Sequence, residues 1–153
     1  MCCILTTNNT IMREIAIQII ENSFKGKTDK AGKPYVDHLY RVAAKMPKGS
    51  SAFEIVALLH DLLEDCPEWN EKSLRVFFTD EIVDSVVALT RLGGELYNDY
   101  IDRVCEDYIA KMVKKADLED NMDITRIDLL TQKDLDRLGK YHASYQHIIS
   151  KNQ

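Results

Sequence analysis

Residues 55–65, Ile-Val-Ala-Leu-Leu-His-Asp-Leu-Leu-Glu-Asp, set an imidazole and three carboxylates inside a run of leucines. Residues three and four apart on a helix share a face, so His60 aligns with Glu64, and Asp61 with Glu64 and Asp65. The leucines mark the segment as interior, where charge is costly unless it is paired or binds a cation. A metal ion is the economical solution.

Two further residues extend the set. His38 lies beside the apolar stripe Val36, Leu39, Val42, Ala43 and Met46, and Asp117 falls in Lys-Lys-Ala-Asp-Leu-Glu-Asp-Asn, where it shares a face with Asn121 at i, i+4. Taken alone, His38 reads as a hydrogen-bonded core histidine. Together with His60, Asp61 and Asp117 it makes two imidazoles and two carboxylates without a thiolate. That donor set suits Mn²⁺, Fe²⁺ or another octahedral divalent ion better than structural zinc. Four protein ligands leave about two octahedral positions for water and substrate.

The elements that must carry these residues are helical. A first helix is expected over 8–22, capped by Asn8, Asn9 or Thr10, with Ile11, Met12, Ile15, Ile19 and Ile20 as its apolar stripe. Residues 23–34 form a loop with Lys25, Lys27, Lys30 and Lys33 against Asp29. It is either a solvated connection or a phosphate-binding rim. The second helix runs from about Tyr35 to Met46, with Pro47 ending it. Ser51-Ala-Phe-Glu54 is a capping box, so the central helix begins near Ala52, carries His60-Asp61 mid-helix and stops at Pro67. Asn70 caps a short helix over 71–78, and Thr79 caps another that breaks at Gly93-Gly94. Helical spacing continues over 95–107 and 108–122, and Thr131-Gln-Lys-Asp134 opens the last helix. Its stripe is Leu135, Leu138, Tyr141 or His142, Tyr145, Ile148 and Ile149. Strand signals are scarce. The fold class is therefore all-α, a compact bundle of about seven or eight helices within one domain spanning 1–153.

Composition narrows the function. A chain of 153 residues with 45% hydrophobic residues can bury a real core. A net charge of −5 argues against a general nucleic-acid binder, though a few local cations suffice for a phosphorylated small molecule. Cys2, Cys3, Cys66 and Cys105 lack Cys-x-x-Cys spacing and read as reduced, inert thiols of a cytoplasmic protein. Neither a signal peptide nor a membrane span is expected.

Pro34-Tyr35-Val-Asp-His38 followed by Val42-Ala43, then His60-Asp61-Leu-Leu-Glu64-Asp65, then Lys115-Ala-Asp117-Leu-Glu-Asp-Asn121-Met122, resembles the motif order of HD-domain phosphohydrolases. The His-Asp-x-x-Glu-Asp extension, Leu89-Thr90-Arg91 and Tyr97-Asn-Asp-Tyr100-Ile101 narrow the likeness. They are similar to the hydrolase domain of the Rel/Spo stringent-response enzymes and to free-standing small alarmone hydrolases. The resemblance covers roughly residues 20–150. It implies a Mn²⁺-dependent hydrolase that removes the 3′-pyrophosphate of guanosine tetra- or pentaphosphate. His38, His60, Asp61 and Asp117 match the family's metal ligands, Glu64 and Asp65 the carboxylates that orient and activate water, and Asn121 a nucleotide contact. Lys27, Lys30 and Lys33, ahead of Lys115 and Arg126, are the cations that would face charge developing on the phosphates. Two alternatives remain at this level: a phosphatase acting on another phosphorylated nucleotide, and a module that binds a nucleotide without turning it over.

Overall fold

A computed structural model describes residues 2–151, with side chains from residue 8 onward. Nine helices appear among the described residues: α1 (Cys2–Ser23), α2 (Tyr35–Ala44), α3 (Ser51–Leu59), α4 (Leu62–Asp65), α5 (Glu71–Leu74), α6 (Asp80–Leu89), α7 (Tyr97–Val104), α8 (Tyr108–Met122) and α9 (Gln132–Ser150). A 3-10 turn covers Ile124–Arg126. The one β contact among the described residues is an isolated bridge between Thr28 and Pro34. The all-α expectation holds. Its eight-helix form is recovered when α3 and α4 are taken as the two halves of one broken segment.

Helix α3 is the hub. Ile55, Val56, Ala57, Leu58 and Leu59 are all buried, so the helix is apolar on every side and needs partners all round. It finds them in α1, α2, α6 and α8. Helix α2 presents Leu39, Val42 and Ala43 to the core and carries His38 on the same face. Helix α8 contributes Ala110, Val113, Ala116 and Leu118, with Asp117 buried among them. Three packed helices thus deliver His38, the end of α3 and Asp117 to one place.

Several expected boundaries move, each for a local reason. Helix α1 begins at Cys2, so Asn8, Asn9 and Thr10 lie inside it rather than capping it. Its buried face is Met12, Ala16, Ile19 and Ile20, while Ile11 is exposed. The Ser51/Glu54 capping box does not form. Ser50 is the N-cap residue, and Glu54 accepts instead from Arg13 Nε of α1 at 2.6 Å. A tertiary partner has outcompeted the local one. Helix α2 closes two residues early in a tight turn, Met46 N donating to the Ala43 carbonyl, because the residue before Pro47 is pushed out of the helical region. Asn70 caps α5 as expected, in a box with Ser73, but that helix ends at Leu74 rather than at 78. Thr131 and Asp134 form the box that opens α9, whereas the Thr79 side chain makes no capping hydrogen bond. Cys66 is buried and Cys105 half-buried, both as free thiols whose burial pushes their pKa up. The side chains of Cys2 and Cys3 lie outside the described residues. No helix among the described residues is long and apolar enough to cross a membrane.

Candidate active site

The central helix does not run through His60-Asp61, as its leucine spacing implied; it breaks there. His60 Nδ1 turns back to the Ala57 carbonyl at 2.7 Å, the acceptor that a continuing helix would offer to the Asp61 amide. Asp61 takes up φ −100°, ψ −1°, and the chain resumes as α4, with Asp65 N donating to the Asp61 carbonyl. Neighbouring residues on an intact helix point about 100° apart. The break instead brings His60 Nε2 within 3.1 Å of Asp61 Oδ2.

Around that pair the other two candidates close in. Asp117 Oδ1 lies 3.2 Å from His38 Nε2 and 3.7 Å from His60 Nε2, and His38 Nε2 lies 3.7 Å from Asp61 Oδ2. One ligand atom from each of His38, His60 and Asp61 falls within 4.8 Å of the others. Both imidazoles are used on the far side. His38 Nδ1 faces Asp120 Oδ2 at 2.7 Å, and His60 Nδ1 faces the Ala57 carbonyl. Each Nδ1 therefore carries its proton toward an acceptor, and each Nε2 is directed at the cluster.

His60 Nε2 is buried and has no hydrogen-bond partner among the described residues; its approach to Asp61 lacks hydrogen-bond geometry. An orphaned imidazole nitrogen facing two carboxylates and a second imidazole fits a divalent cation, and the absence of thiolate fits a hard or borderline one. The electrostatics agree. Burial opposes charge on both imidazoles, yet hydrogen bonding to Asp117 and Asp120 raises His38, and Asp61 with Asp117 raises His60 well above its ordinary value. Burial likewise opposes charge on the carboxylates. His60 nonetheless holds Asp61 below the usual carboxylate range, and Lys114 with the imidazoles holds Asp117 further down.

Further side chains support this cluster. Tyr35 Oη donates to Asp61 Oδ2 at 2.6 Å, its ring stacked on Phe24 at 5.0 Å between centroids. Lys114 Nζ holds Asp117 Oδ2 at 2.9 Å, and Asn121 Nδ2 donates to Asp117 Oδ1 and to its carbonyl. Asp120 is clamped by Arg41, whose Nε reaches Oδ1 at 2.8 Å, and by Arg126, whose Nη2 reaches the Asp120 carbonyl at 2.9 Å. Burial pushes the Asp120 carboxyl up, but His38 and Arg41 hold it far below the usual range. Asp120→Asn should lower metal affinity about 10–100-fold, since it removes the charged acceptor that orients His38. Calorimetric metal titration of the variant against wild type reads this directly.

His38, Asp61 and Asp117 line a cleft of about 400 Å³, within the range of small-molecule sites, with His60 buried behind them. Glu64 lines it, with Oε1 accepting from the Arg91 amide at 2.6 Å. Burial pushes the Glu64 carboxyl up, partly offset by that N–H. Asp65, Lys27 and Lys33 are not among its lining residues. Lys27 Nζ instead reaches the Asp65 carbonyl and sits 3.5 Å from Cys66 Sγ. Of the lysine run, Lys30 lines the cleft, over the Tyr141 ring at 5.5 Å. Asn121 and Arg126 line it too, while Lys115 lies over Tyr145 instead. Sequence reasoning missed the opposite wall. Arg137, Lys140 and Tyr141 come from the first half of α9, where Lys140 Nζ sits 3.7 Å above the Tyr97 ring. Their signal was available, because Arg137, Lys140 and Tyr141 at i, i+3, i+4 make one mixed cationic and aromatic face.

No protein-family model matches the chain, and no curated protein does. Among solved structures it is similar to one described as "A metazoan ortholog of SpoT hydrolyzes ppGpp and plays a role in starvation responses". The match has a TM-score of 0.73 at 19% identity and covers 90% of this chain and 84% of that one. At that identity the likeness establishes a shared fold, the helical architecture that the motif order implied.

Proposed function

We propose that the chain is a metal-dependent pyrophosphohydrolase that removes the 3′-pyrophosphate of guanosine tetra- or pentaphosphate. One observation carries the reading: the orphaned His60 Nε2 meets His38, Asp61 and Asp117 in one buried cluster, and the last three of these line a cleft that also holds Glu64. The shared fold with a protein described as hydrolysing ppGpp supports the choice of substrate.

In this reading His38, His60, Asp61 and Asp117 would hold a divalent ion; the family resemblance implies Mn²⁺, and the donor set suits Fe²⁺ or another octahedral ion as well. When bound, the ion lowers the pKa of water and offsets charge on the phosphate oxygens. Glu64 accepts a proton from the attacking water, its elevated pKa bringing it nearer to neutral pH as a base. Water oxygen bonds to the phosphorus attached to the ribose 3′-oxygen; that P–O bond breaks, and the 3′-oxygen leaves and takes up a proton. Asp65, one residue beyond Glu64, adds negative charge at the end of α4 rather than lining the cleft. Lys30, Arg137 and Lys140 provide the cationic wall that phosphates need, and Asn121 keeps Asp117 in place. Lys27 and Lys33 shape the loop that presents Lys30: the Lys27 carbonyl accepts from Tyr35 N, and the Lys33 carbonyl from Asp29 N.

The test is a product assay. Purified protein reconstituted with Mn²⁺ is incubated with guanosine tetraphosphate and with a panel of other phosphorylated nucleotides. Guanosine diphosphate and pyrophosphate in equal amounts are the expected products. Orthophosphate from other nucleotides moves the chain to a general phosphatase, and tight binding without turnover makes it a sensor.

A further inference from the structure

Glu64 ends a long side chain on the short helix α4, and a base must be held still relative to the bond it serves. Its carboxylate is held from another part of the fold, by the backbone amide of Arg91 at 2.6 Å. Among the described residues the second oxygen, Oε2, has no hydrogen-bond partner. What aims the Arg91 amide is the conformation of the loop between α6 and α7.

That loop has little apolar anchorage, since Leu92 and Leu96 are 57% and 70% exposed. Its shape comes from Arg103 on α7. The guanidinium reaches the Ala88 carbonyl through Nη1 and the Thr90 carbonyl through Nη2, both at 2.9 Å. It also grips the Glu95 carboxylate, Nε to Oε1 and Nη2 to Oε2, again at 2.9 Å. Glu95 passes the constraint on: Oε2 accepts from Leu92 N at 3.0 Å, and its carbonyl accepts from Arg91 Nη2 at 2.6 Å. Gly94, at φ +79°, makes the turn that lets the loop fold back on itself. One guanidinium thus fixes the carbonyls on either side of Leu89 and the far end of the loop, with the Arg91 amide between them. A bidentate charge-assisted pair of this kind has defined direction as well as strength.

We infer that Arg103 is a positioning residue for hydrolysis: with Glu95 it folds the 90–95 loop so that the Arg91 amide holds Glu64 at the metal-binding cleft. This rests on the pyrophosphohydrolase reading for its kinetic consequence, and on geometry alone for the link itself. Arg103 does not itself line the cleft and bonds to none of the proposed metal ligands; its neighbour in the wall is Tyr100, whose ring centroid lies 5.6 Å from the guanidinium. Its effect should pass through Glu64.

Two measurements on the full chain test it. In ¹H–¹⁵N spectra the Arg91 amide proton, shifted downfield by its carboxylate partner, should move upfield in Arg103→Lys and in Glu95→Gln. Kinetically, Arg103→Lys should lower kcat for guanosine tetraphosphate by about 10–100-fold, with KM and bound metal near wild type. In a Glu64→Gln background the same substitution should cost little further, because residues acting as a unit are non-additive. Glu95→Gln should repeat the pattern from the other side of the pair and guards against a folding defect peculiar to Arg103→Lys. An Arg91 amide that ignores Arg103→Lys, or an equal loss of kcat in both backgrounds, overturns the inference. If the amide moves as expected while wild-type protein fails to hydrolyse guanosine tetraphosphate, the link to Glu64 stands and the functional reading falls.

Discussion

Asp61→Ala should abolish metal binding and hydrolysis together. The Asp61 carboxylate approaches His60 Nε2 at 3.1 Å and His38 Nε2 at 3.7 Å, and with Asp117 it supplies the negative charge that would draw a cation in the proposed reading. Removing it leaves the two Nε2 atoms facing Asp117 alone, a carboxylate that Lys114 and Asn121 already engage. A divalent ion would then enter a site with about half its compensating charge, at a depth where uncompensated charge costs several kcal/mol. The pH dependence follows from the same groups. His38 and His60 titrate above their ordinary value, so a cation must displace protons from both Nε2 atoms. Affinity in wild type should therefore rise with pH until both imidazoles are neutral. Elemental analysis of dialysed protein, paired with pyrophosphate release, reads both consequences. A variant that keeps one equivalent of metal would remove Asp61 from the ligand set.

Glu64→Gln should separate binding from chemistry. The amide oxygen can still accept from Arg91 N, so the loop and the cleft keep their shape, but the side chain can no longer take a proton. Loss of a general base typically costs about 10²–10⁴ in rate. The expected result is full metal occupancy, an unchanged KM and a kcat lower by that factor. Metal loss equal to that of Asp61→Ala would make Glu64 a ligand instead, and a kcat within about tenfold of wild type would leave the proton without this acceptor.

How much of this could be read from the chain differs from element to element. Helix α8 was legible because its limits coincide with local chemistry: the apolar spacing starts just after Asp107, which caps the first turn through Ala110 N. The cap at Asn70 and the Thr131-Gln-Lys-Asp134 start of α9 were legible for the same reason. The box at Ser51-Glu54 looked identical and failed, because Arg13, 41 residues away, offers Glu54 a charged partner. The break at His60-Asp61 left no trace in periodicity, since five consecutive buried residues precede it and Leu62 follows, also buried. Its cause is a side chain taking a backbone acceptor, which the spacing of leucines does not record. Convergence of His38, His60, Asp61 and Asp117 was foreseeable from three apolar helices each carrying a ligand type. The clamp on Asp120 was not: Arg41 lies 79 residues from it in sequence, and only the packing of α2 on α8 brings them together. The lysine run was uniform in sequence and is sorted by the fold, Lys30 toward the cleft and Lys27 toward α4.

Tyr35 gives the site one further property. It opens α2 at the end of the lysine loop, its amide bonds to the Lys27 carbonyl, its ring lies flat on Phe24, and its hydroxyl holds Asp61. The segment carrying Lys30 and the carboxylate facing the two imidazoles are thereby joined through a single rigid aromatic side chain. Whatever stills one end reduces the disorder left to be removed at the other. In the proposed reading cation and nucleotide therefore assist each other's capture, and by thermodynamic reciprocity the assistance has the same size in both directions.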